Sequence, residues 1–193
     1  WVVFGYFSVL DFGMGPAIVS FLSRPDRQDG AGASGVFWTA VLMNLGMGLA
    51  VGAALIALFR LLDLIGGLPG GAIGGELRRA LPWLLAMLPV SLVYPVLVGA
   101  LDARRLFGLA NTNQVVGTIL AQALPLLAVM LVRPTLTVAI AGTVLGRLLS
   151  GVLLLGFCVQ RLDLGAPRLE RGLIRQLTGF GGWVALSTGV GSI

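Results

Sequence analysis

Four polar side chains recur along one apolar stretch of this chain. Gln114, Thr118 and Gln122 follow one another at intervals of four residues, and Asn111 precedes them by three. In a helix this spacing places all four on one face. Because amides and hydroxyls exposed to lipid lose their hydrogen bonds, this face should meet a partner helix or a water-filled cavity. Two interpretations stay open: hydrogen bonds between helices, or a hydrated path for a substrate.

Arg147 is the second candidate functional residue, because it is a charged residue near the middle of another apolar stretch. Thr143, Ser150 and Gly151 share its face if the stretch is helical. An arginine at the centre of a bilayer costs at least about 2.5 kcal/mol. Arg147 is therefore a candidate ligand for an anionic group, or one half of an ion pair with Asp11.

Asp11 is the only carboxylate within the apolar stretches. Gly13, Gly15 and Pro16 follow it, and a proline removes a backbone hydrogen bond, so a bent or broken helix is expected there. The carboxyl group is a candidate for carrying a proton or a sodium ion. It is equally a candidate for pairing with an arginine or for accepting backbone hydrogen bonds from the bend.

Small residues beside Arg147 predict how its helix packs. Gly142, Gly146 and Ser150 recur every four residues. Such a ridge of small side chains lets a second helix approach closely within a membrane.

These residues lie in apolar runs that carry at most one charge each. The chain of 193 residues is 57% hydrophobic and 11% charged, whereas a soluble domain is about 25% charged. A helix of about 20 residues crosses the roughly 30 Å hydrocarbon core. We predict an all-α, polytopic membrane protein with six spans. The predicted spans are about 1–22, 36–59, 80–101, 109–132, 135–159 and a truncated 176–193.

The arginines between the spans predict the orientation. Loops 23–35, 102–108 and 160–175 hold eight of them, whereas loop 60–79 and the link at 133–134 hold four. Arginine-rich loops stay in the cytoplasm, so residue 1 is predicted to lie on the outer side. Loop 60–79 is rich in glycine and is predicted to be flexible. The linker 160–175 is expected to lie along the membrane surface through its apolar side chains. These are Leu162, Leu164, Leu169, Leu173 and Ile174.

Composition excludes several classes of function. The chain has neither lysine nor histidine, so a lysine-containing phosphate loop and histidine-based triads or zinc sites are not expected. Cys158 is the single cysteine and lies in an apolar run. The arginines are spread between spans and form no basic patch, so no nucleic-acid partner is expected. We expect no metal and no cofactor. Because the chain does not begin with Met and starts and stops inside apolar runs, we expect a piece of a longer protein.

Three segments resemble one family of exporters. YFSVLDFGMGPAIVSFLSR at 6–24 resembles its second-helix motif, and GALDARRLFGLANTNQVVG at 99–117 resembles the stretch joining its fourth and fifth helices. LTGFGGWVALSTGVGSI at 177–193 resembles the opening of its seventh helix. In this order and spacing they resemble the Wzx-like polysaccharide and O-antigen flippases. These flippases are a branch of the multidrug/oligosaccharidyl-lipid/polysaccharide exporter superfamily.

The resemblance implies a two-lobe helical exporter in a bacterial-type inner membrane. Residues 1–159 would be helices of the first lobe, 160–175 the cytoplasmic linker between lobes, and 176–193 the start of the second lobe. Such a protein is not an enzyme. It flips a polyprenyl-diphosphate-linked oligosaccharide to the outer leaflet by alternating access, for polysaccharide or lipopolysaccharide biosynthesis. Its partners would be the bilayer, the lipid-linked oligosaccharide and polysaccharide assembly enzymes.

The resemblance also gives the candidate residues roles. The substrate would contact Arg147, Gln114, Thr118, Gln122 and Asn111, and Asp11 would couple transport to protons or sodium. A multidrug or cation antiporter of the same superfamily is an alternative, although it would favour acidic residues in the cavity. A membrane-embedded glycosyltransferase or polymerase is a further alternative, and it would need paired carboxylates or a catalytic base.

Overall fold

The computed structural model describes residues 14–24, 30–64, 72–132, 134–162, 164–167, 169–170 and 172–179. These residues form helices and turns, and no strand occurs among them, which confirms the all-α prediction for this part of the chain. The helices are α1 (Met14–Leu22), α2 (Gly30–Leu64), α3 (Ala72–Ala103), α4 (Phe107–Leu131) and α5 (Leu136–Arg161). Residues 172–179 are also helical.

Four helices in the described ranges are long and apolar enough to cross a bilayer. They are Gly32–Leu64, Arg78–Ala103, Phe107–Leu131 and Leu136–Arg161. The chain is therefore a multi-pass membrane protein. The predicted span 1–22 is described only from Met14 onward, and the predicted span 176–193 only as far as residue 179. The rest of both spans lies outside the described residues.

The helices extend into stretches that the sequence suggests are loops. α2 begins at Gly30, inside the predicted loop 23–35, and α3 begins at Ala72, inside the predicted loop 60–79. The expectation that loop 60–79 is flexible is therefore wrong for 60–64 and 72–79, which are helical, and 65–71 lie outside the described residues. At Gly35 of α2 the missing side chain makes room for a contact, because a Cβ there would overlap the carboxylate of Glu170. Tertiary packing of this kind overrides a low helix propensity.

The chain divides into two compact units. The first unit comprises the described parts of 1–45, 92–111 and 154–193, and the second comprises those of 46–91 and 112–153. Buried apolar residues from α1, α2, α3, α5 and 172–179 form one core in the first unit. Its largest fully buried side chains include Phe37, Met14 and Ile18. α1 packs closely on α3, since a Cβ on Gly99 would lie 2.6 Å from the carbonyl oxygen of Gly15.

The linker that follows α5 packs into the first unit. Leu162 and Leu173 are buried in its core, and Leu164 packs against that core. The prediction that these leucines lie on the membrane surface is therefore wrong, because their apolar surface is covered by the protein itself. Leu169 stays half exposed. An amphipathic pattern cannot distinguish a lipid surface from a protein core, since both remove apolar side chains from water.

The turn between α3 and α4 is a Schellman motif. The amide of Leu106 donates to the carbonyl of Leu101 over 2.9 Å, and that of Arg105 donates to Asp102 over 3.0 Å. Arg105 therefore occupies the position where glycine is usual, with φ of 59°. For an arginine this left-handed conformation costs about 1–2 kcal/mol.

The second unit is held by close backbone contacts and few buried side chains. α2 meets α3 where a Cβ on Gly48 would lie 2.9 Å from the backbone nitrogen of Pro89. Proline has no amide hydrogen, so its backbone can face a neighbouring helix without losing a donor. Arg78 donates to Asp63 in an exposed ion pair between the end of α2 and the start of α3. Much of the remaining apolar surface is exposed, as expected for helices that face lipid.

Candidate functional site

α4 and α5 pack closely along the ridge of small residues within the second unit. A Cβ on Gly142 would lie 2.6 Å from the Cα of Pro125, and one on Gly146 would lie 2.8 Å from the carbonyl oxygen of Leu120. The backbones of the two helices are therefore almost in contact. This is the close approach that the spacing of Gly142, Gly146 and Ser150 predicts.

A buried hydrogen bond accompanies this backbone contact. The Nδ2 of Asn113 donates to the Oγ of Ser150 over 3.1 Å, and both residues are 3% exposed. Sequence reasoning missed Asn113, although a signal was present. Asn113 lies one turn before Gly117, and these two share a face of α4. A small or polar residue on the same face as a glycine marks a helix contact in membranes.

The predicted polar residues of α4 lie outside this contact. Gln114, Thr118 and Gln122 are exposed in the second unit, and Asn111 is exposed in the first unit. The hydroxyl of Thr118 donates to the carbonyl of Gln114 over 2.8 Å, so its own helix satisfies it. Asn113 makes the polar contact with α5. The side chains of Gln114 and Gln122 therefore remain available to other partners.

Arg147 is also exposed in the second unit. No ion pair or hydrogen bond to its guanidinium occurs among the residues that the structure describes. Of its predicted companions, Ser150 turns toward Asn113, and Thr143 donates to the carbonyl of Ala139 over 3.1 Å. A Cβ on Gly151 would touch the Val90 side chain of α3 at 3.7 Å.

Helix geometry places the glutamines of α4 and Arg147 on the same side of the α4–α5 pair. Along the contact, the residue numbers of α4 increase while those of the α5 residues they meet decrease, so the two helices are antiparallel. Each successive residue is rotated by about 100°. In an antiparallel pair, the residue that follows a contact residue on one helix points to the same side of the pair as the residue that follows a contact residue on the other helix. Gln114 follows Asn113, Thr118 follows Gly117, and Arg147 follows a contact glycine.

The axial positions also agree. Ser150 meets Gly117, and Gly146 meets Leu120. Arg147 therefore lies level with the segment of α4 between Thr118 and Gln122. We name this side of the second unit the polar side. It comprises Gln114, Thr118, Gln122 and Arg147.

The far side of α4 has the opposite character. Val115 and Ile119 lie about 200° around the helix from the residues that contact α5, and they are 60% and 59% exposed. Branched apolar side chains at this exposure are suited to acyl chains. α4 therefore presents an apolar surface and a polar side at the same depth. The polar side can accept or donate hydrogen bonds through amides and can bind an anion through a guanidinium.

Asp11 is the last of the predicted site residues, and metal ions are a further kind of ligand to consider. Asp11, the predicted coupling residue, lies outside the described residues. No group of three or more His, Cys, Asp or Glu residues that could hold a metal occurs in the part of the chain that the structure describes. No family model, curated protein or solved structure matches this chain.

Proposed function

We propose that this chain forms part of a membrane transporter for lipid-linked oligosaccharides. Its substrate would be a polyprenyl-diphosphate-linked oligosaccharide, moved from the cytoplasmic to the outer leaflet by alternating access. One observation carries this proposal. The exposed amides of Gln114 and Gln122 and the exposed guanidinium of Arg147 lie on one side of a helix pair whose far side on α4 carries exposed apolar residues.

The chemistry of such a substrate fits the polar side. A guanidinium binds the oxygens of a diphosphate through two parallel hydrogen bonds. The side chains of Gln114 and Gln122 can both donate to and accept from sugar hydroxyls. The polyprenyl tail would remain in the bilayer beside apolar residues such as Val115 and Ile119, which are exposed on the same helix.

The sign of the charge favours an anionic substrate over a cationic one. α4 and α5 contain no aspartate or glutamate, and Arg147 is the charge on the polar side. An arginine repels a cationic drug and attracts a diphosphate. Coupling of transport to protons or sodium through Asp11 stays a separate hypothesis.

Substitution of Arg147 tests the proposal in the intact protein. We expect Arg147→Ala to lower flippase-dependent surface polysaccharide about tenfold or more, because it removes charge-assisted hydrogen bonds. Arg147→Lys should retain part of the activity, since it keeps the charge and loses the bidentate geometry. The assay uses cells that lack their own flippase, with membrane abundance measured for each variant.

The matched control is Arg79→Ala. Arg79 is an exposed arginine of the same unit on α3, and its loss should leave surface polysaccharide unchanged. Wild-type polysaccharide from Arg147→Ala at normal membrane abundance would remove Arg147 from the mechanism. Equal losses from both alanine variants would point to overall positive charge and would also overturn the assignment.

A further inference from the structure

A buried hydrogen bond from Asn113 to Ser150 links α4 to α5. It lies among close backbone contacts made by Gly142 and Gly146. Glycine contacts bring the two backbones together, but glycine has no side chain that hydrogen-bonds to a particular partner. A buried amide behaves differently, since it loses its hydrogen bond when its partner moves away.

A slide of one helical turn would break this hydrogen bond without replacing it. Moving α5 by one turn would bring either Gly146 or Leu154 to the level of Asn113. Glycine has no side chain, and the side chain of leucine cannot accept a hydrogen bond. A single buried asparagine is known to fix the register of packed helices by the same physical mechanism.

We infer that Asn113 and Ser150 are positioning residues that hold α4 and α5 in one register, so that the pair moves as a single body during transport. Gln114 directly follows Asn113 on α4, and Arg147 lies on α5 three residues before Ser150. Fixing the first pair therefore fixes the spacing between the backbone positions that carry this amide and this guanidinium. The ligand of that surface rests on the proposed function above, whereas the rigidity of the pair does not.

A disulfide that can be opened and closed tests the functional part. A Cβ on Gly117 would lie 3.1 Å from the Cβ of Ser150, close to the roughly 3.5–4.5 Å of a disulfide. The variant is Gly117→Cys with Ser150→Cys, and Cys158→Ala removes the single native thiol. The reduced form lacks the acceptor of Asn113, so we expect transport about threefold to twentyfold below that of Cys158→Ala alone. Oxidation with diamide should restore it, because the covalent link replaces the lost register.

Two results would overturn the inference. The first is loss of transport on oxidation with recovery on reduction, which would mean that the helices must slide past each other. The second is equal transport in both redox forms. Thermal unfolding of both forms, together with membrane abundance, separates a positioning effect from misfolding.

A measurement without substrate separates this inference from the proposed function. Spin labels at Ile119 of α4 and Leu149 of α5, both exposed, report the distance between the two helices. Asn113→Ala should broaden or shift the distance distribution. The control is Asn44→Ala, because Asn44 is equally buried but donates to Ala40 of its own helix over 2.9 Å. Identical distributions for Asn113→Ala and wild type would overturn the positioning role, whatever the protein transports.

Discussion

The indole Nε1 of Trp38 donates a hydrogen bond to the backbone carbonyl of Gly165, 3.0 Å away and 127 residues further along the chain. Ser34 donates to the same carbonyl over 3.4 Å. The hydroxyl of Thr39 accepts from the amide of Glu170 over 3.0 Å. Three side chains of one helix thus hold the backbone of the linker in the first unit. The linker is therefore a packed part of that unit.

Loss of the Trp38 hydrogen bond should expose the linker to proteolysis. Trypsin cleaves after arginine, and the linker contains Arg161 and Arg175. Trp38→Phe removes the donor and keeps most of the apolar surface. We expect cleavage of the linker to become about twofold to tenfold faster, in proportion to the lost hydrogen bond. The control Trp83→Phe changes an exposed tryptophan in the second unit. Unchanged cleavage of the Trp38 variant would show that this hydrogen bond does not hold the linker.

Arg105→Gly should stabilise the protein. The residue has φ of 59°, which glycine adopts without the steric cost that arginine carries. We expect the free energy of unfolding in detergent to rise by about 1 kcal/mol. Arg104→Gly is the control. Among the described non-glycine residues the positive φ belongs to Arg105 and not to Arg104, so glycine should bring no gain at position 104. A fall in stability on Arg105→Gly would show that its side-chain contacts outweigh the backbone strain.

Two glycines of α5 should respond differently to alanine. A Cβ on Gly146 would lie 2.8 Å from the carbonyl oxygen of Leu120, and a backbone atom cannot easily give way. We expect Gly146→Ala to destabilise the protein by about 1–3 kcal/mol. Gly156 has nothing within 4 Å of such a Cβ, so Gly156→Ala should be neutral or stabilise by up to about 1 kcal/mol. Denaturant unfolding measures both, and equal effects would contradict the close contact between α4 and α5.

The predicted orientation can be tested with single cysteines in a Cys158→Ala background. The arginine content of the loops predicts that the linker lies in the cytoplasm. Ala166→Cys, in the linker, should therefore react with an impermeant thiol reagent only after the cells are opened. Leu64→Cys, at the end of α2, should react in intact cells. Both residues are exposed. The reverse pattern would invert the orientation and the direction of the proposed transport.

Apolar runs and small-residue spacing predicted the parts of the fold that depend on local pattern. The ridge that contains Gly142 and Gly146 predicted a close helix contact because side-chain size alone permits it. The pattern did not reveal that Gly35 would pack against Glu170, since that contact joins residues far apart in the chain. The extension of α2 back to Gly30 therefore looked like a loop.

The candidate site was likewise predictable from the sequence only in part. Spacing along α4 placed Gln114, Thr118 and Gln122 on one face, and the structure leaves these side chains exposed. The residue that bonds α4 to α5 is Asn113, which the four-residue spacing passed over. Choosing between neighbouring polar residues requires the rotation of the helix about its axis. That rotation is set by the partner helix, and the sequence of α4 alone does not contain it.

A path for a hydrophilic headgroup along α4 and α5 requires that their polar side be in contact with water inside the membrane. Thiols react as thiolates, which form in water and not in lipid. The decisive measurement is the reaction of Thr118→Cys and Ile119→Cys with a charged methanethiosulfonate in intact membranes, in a Cys158→Ala background. The two positions are adjacent and both exposed, but Ile119 lies on the apolar surface. We predict that Thr118→Cys reacts and that Ile119→Cys does not. An unreactive Thr118→Cys, or equal reaction at both positions, would contradict the account.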